Sequence, residues 1–330
     1  MRVFLPMSWV FGIAVWIRNF LFDNGLLPVR KLPGAVISVG NIAVGGTGKT
    51  PIVIELAKMI LAKGGSPAIV TRGYKSGLGH REWQVLRDGN VIAGVSRSNA
   101  VADEARMQSK ALKGIPVVVG ARRFHAVRSF LRETRDVNIS HWILDDGFQH
   151  RQIYRDVDIV VVDVRNPCGN LLPVDFFRED FTAIKRANMV ILTKAATDSQ
   201  IEDSERKIKV MSPNCPMYVA DFEQGDLKIV CGDAGKPGKR YALISSIANP
   251  DDVIRALEKV GINPAKLFLY RDHMSFREDE VMSQRLGFDC VVTTDKDWAR
   301  DEMAFRRLGV PVYVAPLILN WRGPAPDLRV

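Results

Sequence analysis

One segment constrains the fold of this 330-residue chain more than any other. A run of small and β-branched residues, Ala35–Val39, leads into Gly40-Asn41-Ile42-Ala43-Val44-Gly45-Gly46-Thr47-Gly48-Lys49-Thr50, and a helical pattern follows over Pro51–Ala62 with proline in its first turn. A glycine-rich loop ending in Gly-Lys-Thr between a strand and a helix is a phosphate cradle. Without Cβ atoms, the backbone N–H groups can approach phosphate oxygens, and the helix N-terminus favours negative charge. By residue type, Gly45, Gly46, Thr47 and Gly48 wrap the phosphates. Lys49 supplies a charge for the β and γ groups, and the Thr50 hydroxyl is a ligand for Mg2+. The usual pattern begins with Gly; here that position is Ala43. Position 44 is Val, where some dimeric partitioning ATPases carry an additional Lys. No Asn-Lys-x-Asp element for guanine is present: Thr193-Lys194 runs into Ala195-Ala196, and Thr294-Asp295-Lys296-Asp297 has the wrong spacing. The expected cofactors are therefore ATP and Mg2+.

The rest of the chain agrees with such a loop. Strands are expected at Ala68–Thr71, Val117–Val119, Trp142–Leu144, Ile159–Asp163 and Met189–Leu192, with helices over Ala102–Leu112 and Arg123–Arg132. Strands separated by helices imply an α/β fold: a P-loop NTPase-type, mostly parallel sheet with helices on both faces. Trp83–Ser96, with Asp88-Gly89 between two short apolar runs, reads as a hairpin at the rim. Around Gly232–Arg240 the chain is rich in Gly, Lys and Pro, and a second, smaller α/β series follows. Its expected strands are Tyr241–Ser245, Leu267–Tyr270, Cys290–Thr293 and Val312–Val314, and its expected helices are Asp251–Val260 and Asp279–Leu286. The expected domains are 1–32, an apolar N-terminal helix; 33–235, the P-loop domain; and 236–330, a smaller C-terminal α/β lobe closing over the site. Four well-separated cysteines, with no Cys-x-x-Cys pair, argue against a zinc or disulfide framework.

The N-terminus stands apart. From Phe4 to Ile17 only Ser8 is polar, and Phe20, Leu21 and Phe22 follow Arg18 and Asn19. The run is shorter than the roughly 20 apolar residues of a spanning helix, and no small-x-small cleavage site follows it. Two readings remain: a helix lying in a membrane interface, with aromatic residues beside Arg18, Arg30 and Lys31, or a helix packed on the protein's own core. The formal charge of +9 suits anionic partners. No aromatic-interleaved basic stretch accompanies it, so nucleic acid is not expected. A mean hydropathy of −0.01 excludes a polytopic membrane chain.

A second motif narrows the chemistry. The strand Trp142–Leu144 runs into Asp145-Asp146-Gly147-Phe148-Gln149-His150. Carboxylates at the C-terminal end of a buried parallel strand occupy the Walker-B position, where Asp145 and Asp146 hold Mg2+ directly or through water. Combined with the segment Gly40–Pro51, this element resembles the tetraacyldisaccharide 4′-kinase family of lipid A biosynthesis. Thr71-Arg72-Gly73-Tyr74, Asp103-Glu104, Arg155-Asp156, Gly169-Asn170-Leu171-Leu172-Pro173, Asp272-His273 and Thr294–Asp297 agree as well. The resemblance runs from about Pro33 to Asp297. It departs at Asp175-Phe176-Phe177-Arg178-Glu179, where the family usually has Gly-Pro-Leu-Arg-Glu. Ser246-Ile247-Ala248-Asn249-Pro250 replaces Gly-Ile-Ala-x-Pro, and Asp295 replaces a Glu.

The resemblance implies an ATP- and Mg2+-dependent kinase acting on the 4′-hydroxyl of a tetraacylated glucosamine disaccharide 1-phosphate to give lipid IVA. It also implies a place on the cytoplasmic face of the inner membrane, peripheral or monotopic through the apolar N-terminal helix, with the acylated lipid and the membrane surface as partners. No obligate protein partner is expected. Asp103 and His273 match the family's catalytic dyad, Asp103 taking the hydroxyl proton while His273 orients it or tunes its pKa. Lys49 and Asp146 complete the catalytic set, and Glu104 joins Thr50, Asp145 and Asp146 at the metal. Arg72, Arg123 and Arg178 are candidates for the substrate phosphate, since guanidinium pairs with phosphate bidentately, or are solvated structural residues. His150 either reaches a phosphate or caps its loop. Two other readings differ in kind: a P-loop kinase or ATPase for a soluble small molecule, and a nucleotide-switched binding protein with no acceptor hydroxyl.

Overall fold

The computed structural model describes residues 5–74, 76–96, 101–134, 137–233, 240–247, 250–272 and 274–328. An N-terminal helix, α1 (Leu5–Asp23), precedes β1 (Ala35–Gly40) and α2 (Lys49–Ala62). Next come β2 (Pro67–Thr71), β3 (Trp83–Arg87), β4 (Asn90–Val95), α3 (Asp103–Ala111), β5 (Val117–Gly120), α4 (Arg123–Glu133), β6 (His141–Asp145), β7 (Val157–Asp163), β8 (Met189–Thr193), α5 (Asp198–Met211) and β9 (Met217–Gln224). The remainder comprises β10 (Lys228–Cys231), β11 (Tyr241–Ser245), α6 (Pro250–Lys259), β12 (Lys266–Leu269), α7 (Glu278–Ser283), β13 (Cys290–Thr294), α8 (Asp295–Arg307), β14 (Val312–Ala315) and β15 (Leu317–Trp321).

The chain divides into two compact units, one of residues Met1–Ala100, Gln108–Asp221 and Leu319–Val330, the other of Val101–Met107 and Phe222–Ile318. The sequence boundary expected near 235 falls in 234–239, outside the described residues.

The larger sheet has ten strands in the order β15-β9-β8-β7-β1-β6-β2-β5-β3-β4. From β9 to β5 every neighbouring pair is parallel. Its central strands read as unbroken apolar runs because helices cover both faces. One cluster joins Val36, Val70, Val118, Trp142 and Leu144 to Val127 and Phe130 of α4, with the Phe130 and Trp142 rings edge to face at 6.5 Å. A second gathers Phe148, Val160, Val162, Val190, Leu192 and Ile208. The hairpin stands at the sheet's edge, with β3 antiparallel to both β4 and β5. Its two turn residues, Asp88 and Gly89, have φ of 54° and 83°, the paired left-handed geometry of a tight hairpin turn.

The smaller sheet, in the order β10-β14-β13-β11-β12, is parallel except for the β10–β14 pair. Phe268, Phe276, Phe288, Trp298 and Phe305 fill one of its cores. The expected helix Asp279–Leu286 stops as α7 at Ser283, and a short 3-10 turn follows over Arg285–Gly287. Sequence reading missed α5, β9, β10, α8 and β15. In α8 the cause is visible: Trp298, Ala299 and Phe305 share its buried face with Asp297 and Asp301, so the acids break the apolar periodicity.

Candidate active site

The site in the larger unit forms where β1 and β6 end side by side, with Val39 opposite Asp145 in the parallel register. Gly40 permits that closeness. A Cβ there would lie 2.5 Å from the Phe148 Cβ and 2.6 Å from its backbone nitrogen, so the strand end and the Asp-Asp-Gly-Phe turn meet backbone to backbone. Beyond Gly40 the loop is braced from below. Buried Asn41 donates from Nδ2 to Thr47 Oγ1 at 3.2 Å, and Gln149 Nε2 donates to the Asn41 carbonyl at 2.9 Å. Thr193, at the end of β8, donates its hydroxyl to the Thr47 carbonyl at 3.0 Å, and Lys194 Nζ donates to the Gly46 carbonyl. Gly48 then takes φ 89° and starts α2, which aligns the following N–H groups with the loop.

Lys49 Nζ stands 3.5 Å from Asp146 Oδ1, and Arg178 Nη1 contacts both Asp146 oxygens at 2.8 and 3.0 Å. Asp146 has φ 50°, which turns its side chain back over the strand end. Burial alone would raise its carboxyl pKa, but Lys49, Arg178 and Arg123 outweigh that and hold it below the usual value. Its neighbour Asp145 is buried and accepts from Gln108 Nε2 at 2.7 Å.

Arg178 is carried by a segment that pairs with the loop: Val44 N–H donates to the Phe176 carbonyl at 2.6 Å and Arg178 N–H to the Ile42 carbonyl at 2.7 Å. The next residue, Glu179, is fully buried. It accepts from Asn19 Nδ2 at 2.8 Å and Arg186 Nη2 at 2.7 Å, with Arg18 Nη2 at 3.3 Å.

The other sequence candidates divide. Arg123 is buried and spends its guanidinium on backbone, Nη2 donating to the Asp145 carbonyl at 2.7 Å and Nη1 to the Asp146 carbonyl at 3.1 Å. It thus shapes the turn that aims the two carboxylates. His150 is half-buried, and its Nε2 has no hydrogen-bond partner among the described residues. Burial first, and then the charges of Arg123, Arg155 and Arg72, drive its pKa down to about 3, so it is neutral at physiological pH. Arg72 is exposed.

Asp103 and Glu104 open α3 in the smaller unit, where acidic residues suit a helix N-terminus. Arg300 Nη1 is 3.8 Å from Asp103 Oδ2, and Lys296 Nζ is 4.0 Å from Glu104 Oε1. His273 lies outside the described residues.

The donor set fits Mg2+ and a triphosphate. Asp145, Asp146 and the Thr50 hydroxyl are hard oxygen donors, and cations already gather at Asp146. Among the described residues no group of three or more His, Cys, Asp or Glu could cage a metal. Mg2+ needs no such cage, since it is held by one or two carboxylates together with phosphate and water. Sequence reading missed Asn41, Gln108, Glu179, Thr193 and Lys194. The signal for Thr193 and Lys194 was their place after a buried parallel strand; for Gln108 and Glu179 no local pattern existed.

A phosphate loop beside an Asp-Asp strand end, in a mostly parallel sheet, defines a P-loop nucleotide-binding protein of the kind that handles a triphosphate and its metal. The family model described as tetraacyldisaccharide-1-P 4′-kinase matches residues 1–327, and the chain belongs to that family. Among curated relatives, the tetraacyldisaccharide 4′-kinase of Geobacter sulfurreducens is 33% identical over 327 residues, covering 96% of this chain and 88% of the relative. That of Chlorobaculum parvum is 34% identical over 305 residues, covering 89% and 82%. The "apo" form LpxK from Aquifex aeolicus, solved in complex with ATP, superposes with a TM-score of 0.73 at 26% identity, covering 97% of this chain and 95% of that one.

Proposed function

We propose that this chain transfers the γ-phosphoryl group of ATP to the 4′-hydroxyl of a tetraacylated glucosamine disaccharide 1-phosphate, the step that yields lipid IVA in lipid A biosynthesis. Family membership over residues 1–327 names the acceptor, and the observation that carries the chemistry is the Lys49–Asp146–Arg178 cluster at the P-loop. Such a transfer asks for positioning and charge neutralisation more than for covalent help. Backbone N–H groups of residues 45–50 hold the phosphates, and Lys49 offsets charge on the β and γ groups. Thr50, Asp145 and Asp146 would hold Mg2+, with Glu104 assisting; when bound, the ion would supply positive charge that offsets the negative charge of the transferring phosphoryl group. Arg178, already on Asp146, stands where its guanidinium could also pair with phosphate. Asp103 accepts the proton of the attacking hydroxyl, and His273 orients it. Labelled phosphate from [γ-32P]ATP is expected on the tetraacyldisaccharide 1-phosphate in detergent. Label that appears only as inorganic phosphate would instead support the nucleotide-switched binding protein.

The same proposal puts the chain on the cytoplasmic face of the inner membrane. Helix α1 is amphipathic the wrong way round for water. Ser8 is 7% exposed and donates to the Leu171 carbonyl at 2.8 Å, and Asn19 faces Glu179, while Trp9 is 74% and Trp16 65% exposed. Val10, Ile13, Ile17 and Phe20 share that outward side. Aromatic and aliphatic residues turned outward beside Arg18 suit the headgroup–acyl boundary. No helix among the described residues is long and apolar enough to cross a membrane, which supports an interfacial contact over a spanning one for this helix. Sedimentation with anionic phospholipid vesicles tests it. Trp9→Ser with Trp16→Ser should reduce the bound fraction severalfold, and unchanged binding would refute the interfacial role.

A further inference from the structure

Helix α8 carries chemistry that the phosphate transfer described so far does not use. Its first turn is the element Thr294-Asp295-Lys296-Asp297, and one turn later comes Arg300. Lys296 and Arg300 are four residues apart and therefore share a helix face. Opposite that face stand the two adjacent acids that open α3: Arg300 Nη1 is 3.8 Å from Asp103 Oδ2, and Lys296 Nζ is 4.0 Å from Glu104 Oε1.

The Arg300 guanidinium is fixed from every other side. Nε donates to Asp301 Oδ2 at 3.0 Å, and Nη2 donates to Asp297 Oδ1 at 2.6 Å and Ser246 Oγ at 3.0 Å. Asp297 is in turn locked. Its carboxylate accepts from Ser245 Oγ, the Ser246 N–H and Thr294 Oγ1, its backbone N–H donates to Thr294 Oγ1 at the helix cap, and it is 1% exposed. Asp301 accepts from Ser275 Oγ at 2.7 Å. Three of the guanidinium's donor directions are thus spent on holding it still. Nη1, also buried, makes no hydrogen bond among the described residues and is turned toward Asp103. A structural arginine that merely neutralised Asp297 and Asp301 would not need that orientation. Lys296 repeats the theme with a looser grip, bonded to Asp272 Oδ1 at 3.0 Å beside Glu104.

We propose that Arg300 is a positioning residue for the phosphoryl transfer: its guanidinium, braced by Asp297, Asp301 and Ser246, sets the rotamer of Asp103 and keeps that carboxylate aimed at the acceptor hydroxyl, with Lys296 steadying Glu104. The inference rests on Asp103 being the residue that meets that hydroxyl. A planar fork locked on two sides can direct a third carboxylate, and a lysine point charge cannot hold the same three directions at once. The effect is expected on turnover and not on ATP affinity, because Asp103 serves the acceptor hydroxyl and the nucleotide is held by the P-loop.

The test is steady-state kinetics of the full chain with the tetraacyldisaccharide 1-phosphate in detergent, alongside thermal unfolding. Arg300→Lys keeps a cation beside Asp297 and Asp301, so it preserves the buried charge balance. It should lower kcat about 10- to 100-fold, with KM for ATP within about twofold of wild type. In an Asp103→Asn background the same substitution should change the residual turnover by less than about twofold, since the group it positions is gone. Should Arg300→Lys fail to fold, Ser246→Ala removes one brace without unpairing a charge and should lower kcat about threefold. Turnover at the wild-type level in the folded variant, or a full loss repeated in the Asp103→Asn background, would overturn the proposal. If Asp103→Asn itself retains wild-type turnover, the role given to Asp103 fails, and this proposal with it. If Asp103→Asn is crippled and Arg300→Lys is not, only the role of Arg300 fails.

Discussion

The P-loop cluster of the larger unit and the α8 cluster of the smaller one both hold carboxylates beside cations, yet they are built differently. At the P-loop the backbone does the positioning: Gly40 lets two strand ends touch, Gly48 turns the chain into α2, and Asp146 sits at φ 50° with Arg123 gripping the carbonyls beneath it. Around α8 no glycine or left-handed residue is needed; the helix kinks at Asp301 (φ −114°, ψ 26°), and a buried web of Asp297, Arg300, Asp301, Ser245 and Ser246 does the work. The difference teaches that backbone-built sites leave a short sequence signature, whereas side-chain webs assemble from distant positions and leave none. A second consequence is energetic. Loss of one group from the web strands a buried charge, while loss of a P-loop side chain costs chemistry before it costs stability.

Substitutions at the two clusters should therefore fail in different ways. Lys49→Ala is expected to lower kcat about a thousandfold with a thermal midpoint near that of wild type. A large drop in midpoint would show that the P-loop side chains also carry the fold. Asp297→Asn should behave in the opposite sense, destabilising the protein by about 3 kcal/mol in urea unfolding by leaving Arg300 under-neutralised. Unchanged stability would erase the contrast between the clusters. Gly40→Ala, which drives a methyl into the Phe148 backbone, should cost about 2 kcal/mol. A neutral result would mean that the strand ends can separate.

The smallest effect is in pH dependence. His150 titrates at about 3 in the folded chain and near its ordinary value when unfolded. Between those two values the unfolded state binds the extra proton, so this group's contribution is full above about pH 6.5 and is lost as pH falls. His150→Gln should flatten the acid side of a plot of thermal midpoint between pH 7 and pH 5. An equally steep plot would place the titration elsewhere.

Legibility in the sequence follows the same division. The order of strands and helices through β8, the hairpin at Asp88-Gly89, and the residues of the two nucleotide motifs could all be read, because each depends on a local pattern of turns and apolar runs. Arg178 was readable as a phosphate partner, but its hold on Asp146 was not, since 32 positions separate them. Glu179 and Asn19 are 160 positions apart. Their pairing explains why an apolar N-terminal segment keeps polar residues inward, a fact that neither hydropathy nor charge revealed. Helix α8 was hidden because two of its buried positions are acids, which average a helix face into a charge run.

The central claim is a phosphoryl transfer to a particular hydroxyl, and 31P NMR of the purified lipid product tests it most directly. A second phosphomonoester, on carbon 4′ of the distal glucosamine and dependent on Lys49 and Asp103, is the predicted result. A diphosphate at carbon 1, or unmodified lipid beside hydrolysed ATP, would contradict it.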